Sequence, residues 1–349
     1  MKKVVIALSV LLWLCLFFLN ACKKDDTTTG PTPYNLVIPP GLPPMPIPTN
    51  NPLTVEGVLL GRKLFYDPIL SGNNTQSCGS CHKQKFAFVD SSLQYSVGID
   101  NLPGTRNAMP LFNLGWNTKG LFWDGGATNL ESQVIAPILN PLEMHDLLPN
   151  VINKLRAHSE YPALFKAAFG TDSITVPLLM KAIAQFERTL ISGNSKYDRY
   201  LIGKESLTPQ ELSGLSLYTD MSKGDCNHCH VLGSTFTDFE YRNTGLDSVA
   251  VDIGRGLITL NPTDNGKFKT PTLRNIALTA PYMHDGRFSN LNQVLNFYNT
   301  GFHYAQNLDV NLQTAVKGRL STQDMLDIIA FLNTLTDTEF ITNSSFSKP

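Results

Sequence analysis

Apolar positions along the chain gather into a few helical stretches separated by long polar, glycine-containing loops. Val55–Tyr66, Leu130–Ile138 and Leu147–His158 carry apolar residues at mixed three- and four-residue spacing, the mark of one buried helix face. Val176–Ile191 is the clearest amphipathic run. Thr208-Pro209-Gln210-Glu211 reads as a capping box with proline at the first helical position, opening a helix through Met221. Ser321–Leu335 predicts a closing helix. No long alternating run competes, so the fold class is mainly α. Ser192-Gly193-Asn194 is a break between helical regions, which divides the chain into residues 51–191 and 192–340.

The N-terminal pattern is different. Met1-Lys2-Lys3 precedes an apolar run from Val4 to Leu19, shorter than the roughly 20 residues that span a bilayer. A charged start, an apolar middle and a small residue before the cut make residues 1–21 a signal peptide. Leu19-Asn20-Ala21-Cys22 resembles a bacterial lipobox, which implies lipid on Cys22 and a membrane anchor. Residues 22–50 are polar and then rich in proline, with Pro39, Pro40, Pro43, Pro44, Pro46 and Pro48 closely spaced. Proline fixes an extended backbone, so this stretch reads as a semi-rigid tether. The expected location is the cell envelope, as a periplasm-facing or surface lipoprotein.

Composition narrows the rest. The 349 residues carry a formal net charge of −1 and no dense basic run, which gives no support for nucleic-acid binding. Six cysteines are too few for a disulfide scaffold. Apart from Cys15 and Cys22 they form two copies of one pattern, Cys78-Gly79-Ser80-Cys81-His82 and Cys226-Asn227-His228-Cys229-His230. This is C-x-x-C-H, the attachment motif of c-type haem. Two thiols one turn apart reach the two vinyl groups of one haem, and the next residue turns its imidazole to the iron. A zinc ribbon would need its pairs about 15–20 residues apart, and these begin 148 apart. A thioredoxin-like site does not require the histidine. The chain is expected to hold two covalent haem c groups.

The distal face of each iron decides its chemistry, because methionine or histidine there makes an electron-transfer centre and a free face makes a reactive one. For the second haem Met283 is the leading ligand, 53 residues after His230, with His284 the alternative. For the first, Met109, Met144 and His145 are candidates. Arg255 and Arg274 suit either haem propionates or a plain surface ion pair.

Lys269-Thr270-Pro271-Thr272-Leu273-Arg274-Asn275, Ala280-Pro281-Tyr282-Met283-His284-Asp285-Gly286-Arg287, Phe122-Trp123-Asp124-Gly125 and Asn140-Pro141-Leu142-Glu143-Met144 together resemble bacterial di-haem cytochrome c peroxidases. The resemblance runs from about residue 52 to 335. It implies two cytochrome c-like haem domains packed with a haem–haem interface. The haem on His82, in the N-terminal domain, would be peroxidatic, and the haem on His230 and Met283 would receive electrons. Trp123 would relay electrons between them, Glu143 would be the distal acid–base residue, and Asn107 would bind calcium. The family often carries a capping histidine before the Gly104-Thr105-Arg106-Asn107 segment. Here that loop, Ser96 to Pro103, has none, and Ile99 stands in its place. The first haem is therefore expected to be five-coordinate at rest. Hydrogen peroxide is the implied substrate and a small cytochrome c or cupredoxin the implied donor, with a homodimer a common assembly in the family. Two readings compete. In MauG-like enzymes, which oxidise a partner protein, tyrosine replaces the methionine on the second haem. A non-catalytic di-haem electron carrier would ligate both faces of both irons.

Overall fold

The computed structural model describes residues 30–349. The signal peptide and Cys22 lie outside the described residues. Eight α-helices of six or more residues make up the frame: α1 Val55–Tyr66, α2 Leu148–Ala157, α3 Tyr161–Phe169, α4 Val176–Thr189, α5 Lys196–Leu201, α6 Pro209–Thr219, α7 Leu291–Asn296 and α8 Thr322–Asn333. One antiparallel pair of two-residue strands, β1 Tyr241–Arg242 and β2 Phe268–Lys269, is the whole sheet among the described residues. None of the described helices is long and apolar enough to cross a membrane.

Local chemistry sets the helix ends. Thr54 caps α1 by accepting from the Gly57 amide. The capping box at Thr208 and Glu211 starts α6 as the sequence predicts, and Ser321 with Asp324 starts α8 in the same way. The expected helix over Leu130–Ile138 divides into Leu130–Gln133 and Ile135–Leu139. Helices α3, α5 and α7 were not foreseen from periodicity. They are short, and α5 and α7 have only six residues each, too few to show a period.

Two crossings organise the molecule. At Gly61, α1 meets α4 so closely that a methyl group would lie 1.9 Å from the Ala182 carbonyl oxygen. At Gly214, α6 meets α8 with a methyl 1.9 Å from the Asp327 carbonyl oxygen. The first crossing borders a core of Leu60, Leu64, Phe165 and Ile183, and the second a core of Tyr218, Phe236, Ile328 and Phe331. The expected break at Ser192-Gly193-Asn194 is a buried clasp. The Asp337 carboxylate accepts from the Ser192 hydroxyl and from the amides of Gly193 and Asn194, each at 3.0 Å. Asn113 and Asn275 close on Ser192 from the two halves. The chain end then returns to the first half, where Phe340 packs with Phe88 and Phe112, and Arg62 donates to the carbonyls of Ser344 and Ser347.

The tether reading of residues 22–50 is corrected for the part described. Thr32 binds the Glu56 carboxylate through its amide and hydroxyl, and Pro33 bridges to Thr54. Leu42 and Met45 are buried, and the Trp116 indole donates to the Pro43 carbonyl at 3.0 Å. Proline keeps the backbone extended, but the apolar side chains between the prolines bury against the body and lay the segment along it.

Candidate functional site

Each C-x-x-C-H segment follows the first helix of its crossing, Cys78 after a short helical turn at Pro68–Leu70 and a loop, Cys226 after a loop alone. The thiols of Cys78, Cys81, Cys226 and Cys229 are all free, so neither pair is tied up as a disulfide. His82 Nδ1 lies 2.8 Å from the Phe88 carbonyl oxygen. His230 Nδ1 lies 3.0 Å from the Pro271 carbonyl oxygen and 3.4 Å from that of Phe236. Burial pushes both imidazoles down, His230 to about 4, so each is neutral and donates through Nδ1. Nε2 is thereby left as a free ligand atom, its tautomer fixed by a backbone carbonyl.

In the second half these groups line a cavity of about 240 Å³ with Cys226, Cys229 and His230 among its lining and Met283 there too. The residues fit a haem. Two thiols, an imidazole and a thioether share one apolar chamber. Met283 holds φ 73°, a left-handed backbone that aims the hook on which it sits. His284, the alternative ligand, also lines the chamber, and its ring stacks on Phe268 at 3.6 Å.

The first half repeats that hook with different side chains. Leu121 bridges to Ala127 as Tyr282 bridges to Phe288. Phe122 holds φ 62° where Met283 holds 73°, and each hook continues Asp-Gly, Asp124-Gly125 and Asp285-Gly286. Asn129 and Asn290 then cap the following helices. Phe122 is thus the counterpart of Met283, and Trp123 of His284. Of the candidate ligands for the first iron, Met144 is buried in the core with Ile138 and Leu155. His145 Nδ1 pairs with Asp100 Oδ2 at 2.5 Å on the half-exposed surface. The Met109 backbone sits beside the His82 imidazole.

Glu143 lies close enough to raise the pKa of both Cys78 and Cys81. Its Oε1 accepts from Asn140 Nδ2 at 2.6 Å, and burial pushes its own pKa up. The loop that lacks a histidine is fastened to it, because the Ile99 amide donates to the Glu143 carbonyl at 2.9 Å. Gly98 lies against the Leu142 carbonyl, where a methyl group would come within 2.3 Å. The Ser96 hydroxyl faces the Cys81 thiol, and Glu187 Oε2, buried near Cys78, has no hydrogen-bond partner among the described residues. Free thiols, a fixed imidazole and an orphaned carboxylate oxygen in one half also fit a bound group here.

Trp123 and Asn107 come from the first half but line the cavity of the second. The Trp123 indole donates to the Asn107 carbonyl at 2.9 Å, and its own carbonyl accepts from the Lys269 amide at 2.7 Å. The Asn107 side-chain amide faces the carbonyl oxygens of Leu93 and Gln94 at 3.3 and 3.2 Å. The propionate role expected of Arg274 is not available, because its guanidinium forms a buried bidentate pair with Asp198 at 2.7 and 2.9 Å. Arg255 donates to the Asp124 carbonyl and lies over the Tyr241 ring. Sequence reasoning missed Phe122 and Glu187. The matching Asp-Gly after each hook was the available signal for Phe122.

A family model described as di-haem cytochrome c peroxidase matches residues 55–206. The methylamine utilization protein MauG of Methylorubrum extorquens is 36% identical over 295 residues, covering 83% of this chain and 81% of that protein. The cytochrome c551 peroxidase of Nitrosomonas europaea is 34% identical over 305 residues, covering 84% of each. A solved MauG-like protein associated with microbial copper homeostasis superposes with a TM-score of 0.83 at 34% identity, covering 90% of this chain and 99% of that one.

Proposed function

The chain belongs to the di-haem cytochrome c peroxidase family, and from that premise we propose that it reduces hydrogen peroxide to water with electrons from a small cytochrome c or cupredoxin. The observation that carries this reading is the contrast between the two hooks, Met283 at one and Phe122 at the other. Haem held by Cys78 and Cys81, and by Cys226 and Cys229, supplies the iron that binds peroxide and carries electrons.

The chain does the rest. His82 and His230 would hold the two irons through Nε2, their Nδ1 atoms staying on backbone carbonyls. Met283 would add a sulfur ligand in the second half. Phe122 and Ile99 carry no donor atom, so the first half would supply no such ligand and peroxide would react there. Glu143 Oε1 is held by Asn140, leaving Oε2 to move the proton from one peroxide oxygen to the other; with two electrons from the donor and two further protons from solvent, the O–O bond breaks and both oxygens end as water. Its burial-raised proton affinity suits a group that must both accept and release. Trp123, anchored on Asn107 and Lys269, bridges the halves as an aromatic relay. Asn107 with the carbonyls of Leu93 and Gln94 is the proposed calcium position: with its amide turned so that Oδ1 replaces the Nδ2 that now donates to them, three oxygens would face one point, and calcium takes such ligands. Lipidation at Cys22, an envelope location and a homodimer stand with this reading as proposals.

Peroxide consumption by the as-isolated, unreduced holoprotein, with reduced cytochrome c as donor, tests it. Turnover without prior reduction, and a high-spin ferric signal from one haem, are expected. Low-spin signals from both haems together with no turnover would overturn it and favour an electron carrier. The MauG relatives favour one second reading, oxidation of a partner protein; Met283, where that branch has tyrosine, stands against it. Oxidation of a partner's side chains with no turnover of cytochrome c would establish it instead.

A further inference from the structure

The two helix crossings put the halves in register. A methyl group on Gly61 would meet Phe186 Cβ at 3.0 Å, and one on Gly214 would meet Phe331 Cβ at 2.9 Å. With Phe186 on Phe331, Ile183 falls on Ile328 and Glu187 on Leu332. Both Ile328 and Leu332 line the second cavity. Glu187 therefore presents a carboxyl to the first site where its counterpart presents an isobutyl group.

A second observation places it there independently. The Glu187 carboxylate lies near enough to Cys78 to raise that thiol's pKa. The residue is 3% exposed, and Oε2 has no partner among the described residues. Its neighbour Arg188 is committed to Glu131 through two hydrogen bonds at 2.8 and 2.9 Å. That pair still acts on Glu187 with opposite signs, Arg188 lowering and Glu131 raising its proton affinity, while Glu143 and Tyr66 lie around the same thiol, Cys78. Burial lifts the carboxyl to about 8. An acid buried without a partner is costly where an aliphatic residue would serve, and only one of the two sites carries that cost.

We propose that Glu187 is a tuning residue for the first haem site, binding one proton when that haem gains an electron and releasing it when the electron leaves. The inference rests on the haem assignment above. The step balances: one electron comes from the one-electron donor, one proton comes from solvent, and an O–H bond forms on the carboxylate. Oxidation reverses all three. The reason is electrostatic. The oxidised centre carries one more positive charge, which favours the carboxylate in a low-dielectric pocket, and reduction removes it.

Spectroelectrochemical titration of the full holoprotein across the neutral-to-alkaline range tests this. In the unsubstituted protein the first haem's potential should fall as pH rises, by up to a tenfold change in redox ratio per pH unit, about 59 mV for a one-electron couple. Glu187→Gln and Glu187→Leu should flatten that slope and leave the second haem's potential unchanged. Redox difference infrared spectra should show the C=O stretch of a protonated carboxyl on reduction, lost in Glu187→Gln. Haem content and the second haem's potential report whether the variants fold. The same slope in all three proteins overturns the proposal. Absence of haem from Cys78 and Cys81 overturns the functional reading beneath it.

Discussion

The two halves share a scaffold and differ at the points that face iron. Each has a glycine crossing, a histidine held by a backbone carbonyl six residues on, a buried asparagine on the clasp, and a left-handed hook followed by Asp-Gly. At the hook one half carries Met283 and the other Phe122. On the closing helix one carries Leu332 and the other Glu187. In the proposed reading the first pair decides whether sulfur would reach the iron, and the second whether the pocket wall would hold a proton. One architecture therefore serves two chemistries, because the backbone fixes where a side chain points and leaves open which atom it delivers.

The largest effect should come from erasing the difference at the hook. Phe122→Met places a thioether where Met283 stands in the other half. It is expected to convert the first haem to low spin and abolish peroxide turnover, with haem content intact. The absorption and EPR spectra of the ferric protein measure the first outcome, and steady-state peroxide consumption the second. Full activity with an unchanged spectrum would mean that the two hooks are not equivalent.

Glu143 has no counterpart acid aligned by the hook or the crossing, so removing it sharpens the same comparison. Glu143→Gln should lower kcat for peroxide by about 10²–10⁴-fold, the usual worth of a positioned acid–base group. The second haem's potential should not move. The pH profile gives the sign. Burial raises the Glu143 pKa, and the carboxylate is the active form, so activity is lost as pH falls through that raised value. The acid limb should therefore lie above the ordinary glutamate value and disappear in Glu143→Gln.

How far this was legible follows from what each signal encodes. Haem attachment is local chemistry, so five-residue spacing is enough, and Cys78 to His82 and Cys226 to His230 could be read directly. Apolar periodicity gave α1 and α4, the capping box at Thr208 gave α6, and Ser321–Leu335 read as a closing helix gave α8; these four form the two crossings. The correspondence of Phe122 with Met283 was harder, because it lives in backbone geometry and only Asp-Gly survives as shared letters. Glu187 was hidden by its helix. A glutamate between phenylalanine and arginine reads as part of a solvated face, and only packing shows that it is 3% exposed. The prolines of residues 31–50 declared backbone geometry correctly, but Leu42 and Met45 decide what that backbone lies against. Of the two partners open to Arg274 the ion pair won, with Asp198, 76 residues away in sequence, and only packing shows that pair to be buried and not on the surface.

The smallest effect tests whether the crossings are as equivalent as their geometry. Gly61→Ala and Gly214→Ala each drive a methyl group to 1.9 Å from a backbone carbonyl oxygen, so in both the helices must part. Overpacking of this kind costs about 1–3 kcal/mol. Loss of a helical glycine offsets part of that by about 1 kcal/mol, since alanine is the better helix former. Chemical denaturation of the holoprotein should therefore show two similar, modest losses. The clasp couples the outcomes. Ser192 binds Asn113, Asn275 and Asp337 at once, so a crossing loosened in either half is transmitted to the other. Both variants should unfold in one transition followed equally by the absorbance of either haem. Two transitions, with only the substituted half shifted, would show that the halves fold independently and that the clasp joins them without coupling them.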